Sequence, residues 1–108
     1  MRGQNTATVF AALGDSVRLG IIARLCDGGP LPTIKLTHGT NLSRQAITKH
    51  LRILEDVGLV QSKRVGRDRS WQIEARQLAK TRAYLEQISA QWDARLERLR
   101  SFVEDHGK

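Results

Sequence analysis

Side chains that can recognise an anionic, hydrogen-bonding surface recur at helical spacing between residues 44 and 52. They are cations with amide and hydroxyl groups among them, namely Arg44, Gln45, Thr48, Lys49 and Arg52, and no acid interrupts the stretch before Glu55. Arginine can donate in a fork to guanine, glutamine can pair with adenine, and the remaining groups can contact phosphates. The spacing therefore predicts a DNA-recognition helix.

Local signals define both ends of this helix. Ser43 can cap it by accepting hydrogen bonds from its first free N–H groups, and Gly58 can end it in the left-handed conformation. These signals predict a helix over residues 44–57. At about 100° per residue the opposite face is apolar, and it carries Ile47, Leu51, Leu54 and Val57.

A basic β-hairpin is predicted directly after this helix. Residues 60–65 and 70–74 alternate in the manner of strands, and residues 66–69 contain a glycine suited to a tight turn. The hairpin carries four candidate phosphate contacts, namely Lys63, Arg64, Arg67 and Arg69. Its position favours a wing that reaches phosphates or an adjacent minor groove. The alternative is a solvated hairpin whose charges only protect an edge strand from aggregation.

Three helices are predicted before the basic one, over residues 6–13, 17–26 and 34–38. A short helix, a glycine-containing turn and then a capped basic helix are the order of a helix-turn-helix. The helix over 17–26 is apolar on nearly all sides, which indicates a position at the centre of the core. Cys26, at its end, is expected to be a buried small apolar residue rather than a redox thiol.

From residue 75 the chain is predicted to be helical, with an apolar stripe at steps of three, four and seven. The stripe consists of Leu78, Leu85, Ile88, Trp92, Leu96, Leu99 and Val103. A helix of roughly 25 residues is about 40 Å long, which is more than a domain of this size can cover with its own core. We therefore predict a homodimer in which residues 78–104 pack against a second copy, joined by the helix over 6–13 with Val9 and Phe10. Alternatively, the stripe packs wholly within one subunit.

The charge distribution supports a nucleic-acid partner. The 108 residues, predicted to form a single domain over 1–108, carry 18 basic and 11 acidic side chains. Residues 41–82 hold ten basic and four acidic groups, so they account for +6 of the net +7. Such a concentrated basic region is typical of proteins that bind nucleic acid, although a merely soluble basic surface is the alternative.

The cysteine content, the apolar runs and the candidate catalytic and metal-binding residues indicate the compartment and exclude some classes of chemistry. One cysteine allows no internal disulfide, and the chain has neither an apolar run of membrane-spanning length nor a signal-peptide core, so we expect a cytoplasmic protein with no membrane partner. The sequence contains no recognisable set of catalytic nucleophile and base, no pair of catalytic acids and no phosphate-binding glycine loop, so we do not expect an enzyme. Cys26 with three scattered histidines (38, 50 and 106) predicts neither a metal site nor a cofactor. His50 is interpreted as a residue at the edge of the core that orients its helix.

RQAITKHLRILEDVGLV followed by VGRDRSWQI resembles the ArsR/SmtB family of winged helix-turn-helix regulators, as does the GDSVRLGIIARL helix. The likeness covers about residues 8–105, and its most diagnostic part is HLRILEDVGLV joined to the glycine-arginine wing. Metal-sensing members carry a Cys-x-Cys pair in the first helix of the helix-turn-helix, or Asp and His sets in the last helix. This chain has neither, and its terminal WDARLERLRSFVED resembles branches without metal sensing.

The resemblance implies a mainly α fold with a small β-hairpin, dimerised through terminal helices, that binds double-stranded DNA. It implies a homodimer that represses transcription from a palindromic operator, with Ser43, the polar face of the recognition helix and the wing as the DNA contacts. Two alternatives stay open, a non-specific or architectural nucleic-acid binder and a regulator controlled by a protein partner. The sequence identifies no small-molecule inducer.

Overall fold

The computed structural model describes residues 6–106, which leaves the predicted domain limits at 1 and 108 outside the described residues. It consists of two compact units, one reaching to Leu78 and the other beginning at Ala79. In chain order the elements are α1 (Thr6–Leu13), α2 (Ser16–Gly28), β1 (Leu31–Pro32), α3 (Thr33–Thr37), α4 (Arg44–Asp56), β2 (Val60–Val65), β3 (Asp68–Ile73) and α5 (Ala75–His106). The fold is therefore mainly helical with a small sheet, as predicted.

The core of the first unit is built around α4. Ile47, Leu51 and Leu54 have no exposed surface, which confirms the apolar face that helical spacing predicts. Side chains from α1, α2, α3, the strands and the segment between α4 and β2 complete the core, and they are Val9, Ala12, Ile21, Ile22, Leu25, Leu36, Val57, Leu59, Val60 and Trp71. Burial of this kind contributes roughly 1.5–3 kcal/mol for each large aliphatic side chain.

The second helix differs from the prediction in two respects. It buries one stripe, Ile21, Ile22 and Leu25, while Leu19 is 53% exposed, so it lies against the core rather than at its centre. Cys26 is exposed and not buried. Sequence composition overestimated the burial of this helix because apolar residues on both of its faces were counted together.

The sheet has three antiparallel strands in the order β1-β3-β2. The predicted hairpin is present, and β1 adds an edge strand that the sequence analysis did not foresee, with Leu31 opposite Trp71. Trp71 has no exposed surface, and its Nε1 donates a hydrogen bond of 2.9 Å to the hydroxyl of buried Thr33. This bond joins the central strand to the start of α3.

The second unit consists of the part of α5 that follows Leu78. α5 is 32 residues long, against the roughly 25 that were predicted. Its large apolar side chains are substantially exposed, and they include Leu85, Trp92, Leu96, Leu99, Phe102 and Val103. None of the helices between residues 6 and 106 combines the length and the apolar character needed to cross a membrane.

Candidate nucleic-acid interface

Both predicted ends of α4 are confirmed by hydrogen bonds. The hydroxyl of Ser43 accepts from the N–H of Ala46 at 3.1 Å, which satisfies one of the free donors of the first turn. At the other end Gly58 has φ 80°, its N–H donates to Glu55 O, and the N–H of Leu59 donates to Leu54 O, both at 3.0 Å. This paired arrangement is a Schellman motif, so α4 has sharply defined limits.

The polar face of α4 is exposed opposite its buried face. Arg44, Gln45, Lys49 and Arg52 are exposed, and Thr48 is half-buried. The hydroxyl of Thr48 donates to the carbonyl of Arg44 at 2.8 Å, so its contact with a ligand is restricted to the remaining acceptor positions and the methyl group. The five predicted contacts thus lie on one helix, with a continuous exposed strip of cations and an amide.

Contacts with α2 hold the middle of α4 in place. Arg18 donates from Nε to Ala12 O at 2.7 Å, and its Nη1 lies 3.1 Å from His50 Nδ1. Asp15 caps α2 and lies 3.8 Å from the same His50 nitrogen. The pKa of Asp15 lies below its usual 3.8, because its carboxylate accepts a hydrogen bond from the N–H of Arg18 and lies near the charges of Arg18 and His50. His50 is therefore a half-buried linker between helices, in agreement with its interpretation as a helix-orienting residue.

An arginine that the sequence analysis missed holds the first helix of the helix-turn-helix. Arg24 of α2 donates from Nη1 to Leu36 O at 3.1 Å and to His38 O at 2.9 Å. These carbonyls belong to the last turn of α3 and the segment that follows it, where the helix leaves its own acceptors unpaired. Arg24 therefore stabilises the turn that leads into α4. No periodic signal in the sequence distinguishes it from a solvated arginine.

The wing has a tighter turn than the sequence predicted. Val65 pairs with Asp68, so the turn consists of Gly66 and Arg67 alone, with Gly66 at φ 62°. A glycine at the first of two turn positions is typical of a type II′ hairpin. The second strand consequently begins at Asp68, two residues before the predicted start, and Arg69 belongs to this strand rather than to the tip.

The four basic residues of the wing do not share one face. Arg64 lies opposite Arg69 and Lys63 opposite Ser70 in the strand register, and because alternate residues face opposite sides, Lys63 is on the other side from the two arginines. Arg69 donates from Nη1 to the hydroxyl of Ser62 at 3.0 Å. That hydroxyl in turn donates to Glu55 on α4 at 2.7 Å, so this arginine links the wing to the recognition helix.

A recess of about 210 Å³ lies between α4 and the wing. Its charged and polar lining includes four arginines and one acid, namely Arg44, Arg64, Arg67, Arg69, Asp68 and Thr48. Arg44 donates from Nη2 to Asp68 Oδ1 at 2.9 Å, and the two side chains are 55% and 29% exposed. The recess therefore brings the predicted helix and wing contacts together around a carboxylate that the sequence analysis had not assigned a role.

The predicted dimer-interface residues fall into two groups. On α5, Leu85, Trp92, Leu96, Leu99 and Val103 are exposed and Ile88 is half-buried. On α1, Phe10 is half-buried, whereas Val9 is only 1% exposed and belongs to the core of the first unit. Val9 therefore has almost no exposed surface with which to contact a partner, and its predicted place in the dimer interface is replaced by a place in the core.

Within residues 6–106, no cluster of three or more His, Cys, Asp or Glu side chains is arranged to hold a metal ion. Asp15 and His50, which lie 3.8 Å apart, are engaged with an arginine and with backbone N–H groups.

The chain is similar in sequence to known transcriptional regulators. The sequence pattern of the family described as "Bacterial regulatory protein, arsR family" matches residues 15–62, which run from the cap of α2 into the wing. The HTH-type transcriptional regulator YuzN of Bacillus subtilis is 44% identical over 71 residues, covering 60% of this chain and 77% of its own. Regulator Rv2034 of Mycobacterium tuberculosis is 33% identical over 79 residues, or 73% of each chain.

Solved structures agree in fold. The ArsR-like transcriptional regulator from Rhodococcus sp. RHA1 has a TM-score of 0.70 at 39% identity, covering 90% of this chain and 91% of that one. A second ArsR-family regulator, RHA00566, has a TM-score of 0.71 at 28% identity, with coverage of 81% and 94%. With the capped basic helix and the wing, these likenesses show that the chain belongs to the ArsR family of DNA-binding, winged helix-turn-helix transcriptional regulators.

Proposed function

We propose that the protein is a homodimeric, sequence-specific repressor that binds an inverted-repeat operator. The observation that carries this proposal is the exposed polar strip of α4, which lies opposite a face with no exposed surface. A helix fixed in this way can present its N-terminal side chains to base edges in the major groove. Arg44, Gln45 and Arg52 are proposed to contact bases, with Thr48, Lys49 and the remaining donors, including Ser43, directed to the sugar-phosphate backbone.

The wing is proposed to extend this contact beyond the major groove. Arg67 lies in the turn of the hairpin, where a side chain can reach the adjacent minor groove or its phosphates. Arg64 and Arg69 line the recess beside α4, and Lys63 faces the other side of the hairpin. These positions predict a phosphate-dominated contribution that is largely independent of sequence and strongly dependent on salt.

The exposed stripe of α5 supports the dimer. Trp92, Leu96 and Leu99 are each more than half exposed, and large apolar side chains grouped in this way are typical of surfaces that a partner covers. A second copy of the same helix is the proposed partner, with Phe10 at the edge of the interface. Twofold symmetry would place two recognition helices about 34 Å apart, one turn of DNA.

Selection of bound duplexes from a random DNA pool tests the proposal. We expect recovery of an inverted repeat whose half-site centres are about 10 base pairs apart. Arg52→Ala serves as the comparison, because it should change the recovered half-site if this residue contacts a base. No enrichment would favour the non-specific or architectural alternative, and a single half-site would favour a monomer that pairs with a different protein.

Repression is tested separately from binding. A promoter that overlaps the recovered repeat should give less transcript in a purified transcription reaction as protein is added, because the dimer occludes the polymerase. The same promoter with both half-sites scrambled is the control. An increase in transcript from the intact site, with none from the scrambled one, would make the protein an activator.

A further inference from the structure

Asp68 is the one acid among the four arginines that line the recess between α4 and the wing in the described structure. Its Oδ1 accepts from Arg44 Nη2 at 2.9 Å and from the backbone N–H of Arg69 at 2.7 Å. The backbone bond fixes the carboxylate at the start of β3. Arg44, the first residue of the recognition helix, is therefore neutralised in the free protein by a carboxylate that belongs to the wing.

The position of the recess indicates which anion it would accept. A helix in the major groove and a wing in the neighbouring minor groove lie on either side of one sugar-phosphate strand. That strand must cross the gap between α4 and the hairpin, where the arginines converge. Carboxylate and phosphate both accept the forked donors of a guanidinium, so Asp68 lies where a DNA phosphate would be bound.

We propose that Asp68 is an internal competitor of DNA phosphate, and that Arg44 exchanges this carboxylate for the DNA when the protein binds. The proposal rests on the DNA-binding mode described above. Its consequence is a lower affinity for every duplex, because the exchange and the repulsion between carboxylate and phosphate act regardless of sequence. Asp68 thereby restrains the electrostatic binding that holds a basic protein on random DNA.

Counterion release gives the proposal a specific signature. When a free arginine binds a phosphate, the DNA releases about 0.9 of a counterion, and log K falls with log salt by that increment. An arginine that exchanges Asp68 for a phosphate gives almost no net release, because the liberated carboxylate stays beside the duplex and offsets the charge of the arginine. Replacing Asp68 by an uncharged residue should therefore steepen the salt dependence of DNA binding. If Asp68 had only a structural role, its replacement would not change this dependence.

The test uses the full chain and a labelled random-sequence duplex, and binding is measured by fluorescence anisotropy at several salt concentrations between about 50 and 200 mM. Over this range a protein with several phosphate contacts loses roughly three to five orders of magnitude in affinity. Asp68→Asn retains an oxygen that can accept from Arg69 while it removes the charge. Asp27→Asn is the control, since it removes one exposed acid at the end of α2. We expect Asp68→Asn to steepen the slope by about 0.9 per chain bound and to raise affinity roughly two- to fivefold beyond the control.

The double variant Arg44→Ala/Asp68→Asn should lose both the added slope and the added affinity. A slope for Asp68→Asn equal to that of Asp27→Asn would overturn the proposal, as would a double variant that keeps the gain. Lower affinity of Asp68→Asn for the selected operator, with no change on random DNA, would instead assign Asp68 the opposite role of holding Arg44 for base recognition. A thermal melt of each variant confirms folding, and Asp68→Ser is the second substitution if Asn unfolds the chain.

This test separates the inference from the proposed function. Random duplex requires no operator, so the competition can be confirmed even if the selection recovers no repeat. Conversely, the selection can succeed while Asp68→Asn behaves as the control does, and only the present inference then fails. A wild-type chain that binds no duplex at 50 mM salt, a concentration at which electrostatic binding is strong, contradicts both.

Discussion

The hydrogen bond between Trp71 and Thr33 offers a direct test of how the wing is attached to the helix-turn-helix. Trp71 has no exposed surface, Thr33 is 4% exposed, and the 2.9 Å bond between them is buried. Trp71→Phe leaves the hydroxyl without this donor and reduces the packed volume, so we expect a loss of about 2–4 kcal/mol in the free energy of unfolding. Thr33→Val is nearly isosteric and leaves the indole N–H unpaired, which should cost about 1–3 kcal/mol.

The double variant Trp71→Phe/Thr33→Val distinguishes the hydrogen bond from packing. Both replacement side chains are apolar, so neither position has a buried polar group to satisfy. The double variant should therefore be more stable than the sum of the two single losses predicts. We expect a coupling free energy of about 1–2 kcal/mol. In a domain of this size, each 1 kcal/mol corresponds to a change of about 4–8 °C in the melting temperature.

Urea unfolding followed by far-ultraviolet circular dichroism is the suitable assay, because fluorescence changes when Trp71 is removed. Equal denaturant slopes among the four proteins are needed for the free energies to be compared. Losses that add to within about 0.5 kcal/mol would refute the reasoning. In that case Trp71 stabilises the fold through packing alone, and the bond to Thr33 contributes nothing specific to the attachment of the wing.

Three further predictions concern DNA, assembly and pH. Gln45→Ala should weaken binding to the operator by about 1–3 kcal/mol and change binding to random duplex little. Arg67→Ala should weaken binding to both DNAs and reduce the slope of log K against log salt by about 0.9. Equal losses on both DNAs for both variants would contradict this division of roles. Leu96→Glu should shift the sedimentation mass from dimer to monomer at micromolar concentration, while Val65→Glu, on the wing and similarly exposed (58% against 56%), should not. Because the pKa of Asp15 is lowered from 3.8, its stabilising contribution is present above that pH and is lost as the pH falls through the lowered value. The free energy of unfolding, measured with urea below pH 3.8, should therefore depend less on pH in Asp15→Asn than in the wild type, and an unchanged pH dependence would contradict this.

The features that followed from the sequence are those that neighbouring residues specify. Helical spacing gave the buried and exposed faces of α4, and the local chemistry of Ser43 and Gly58 gave its two ends. Gly66 likewise indicated a turn, although the predicted turn, residues 66–69, was two residues longer than the observed one. These signals depend on chain geometry over a few residues, and tertiary packing did not override them.

The features that the sequence did not predict depend on contacts between distant residues. β1 exists because Leu31 and Pro32 pair with a strand about forty residues later, and two residues carry no periodicity of their own. The exposure of Cys26 depends on which side of α2 faces the core. The bond from Arg44 to Asp68 spans 24 positions, and nothing in the local pattern of either residue distinguishes that pair from other charges in the basic region.

The electrostatic balance of the recess depends on how firmly its two sides are attached to one core. α4 contributes Ile47, Leu51 and Leu54 to that core, and the wing contributes Trp71, all without exposed surface. Since both elements are held by buried contacts, Arg44 and Asp68 meet because of where the fold places their backbones. Asp68 could therefore lose its charge without loss of the wing's position, and the salt dependence of DNA binding should change while the stability of the core does not.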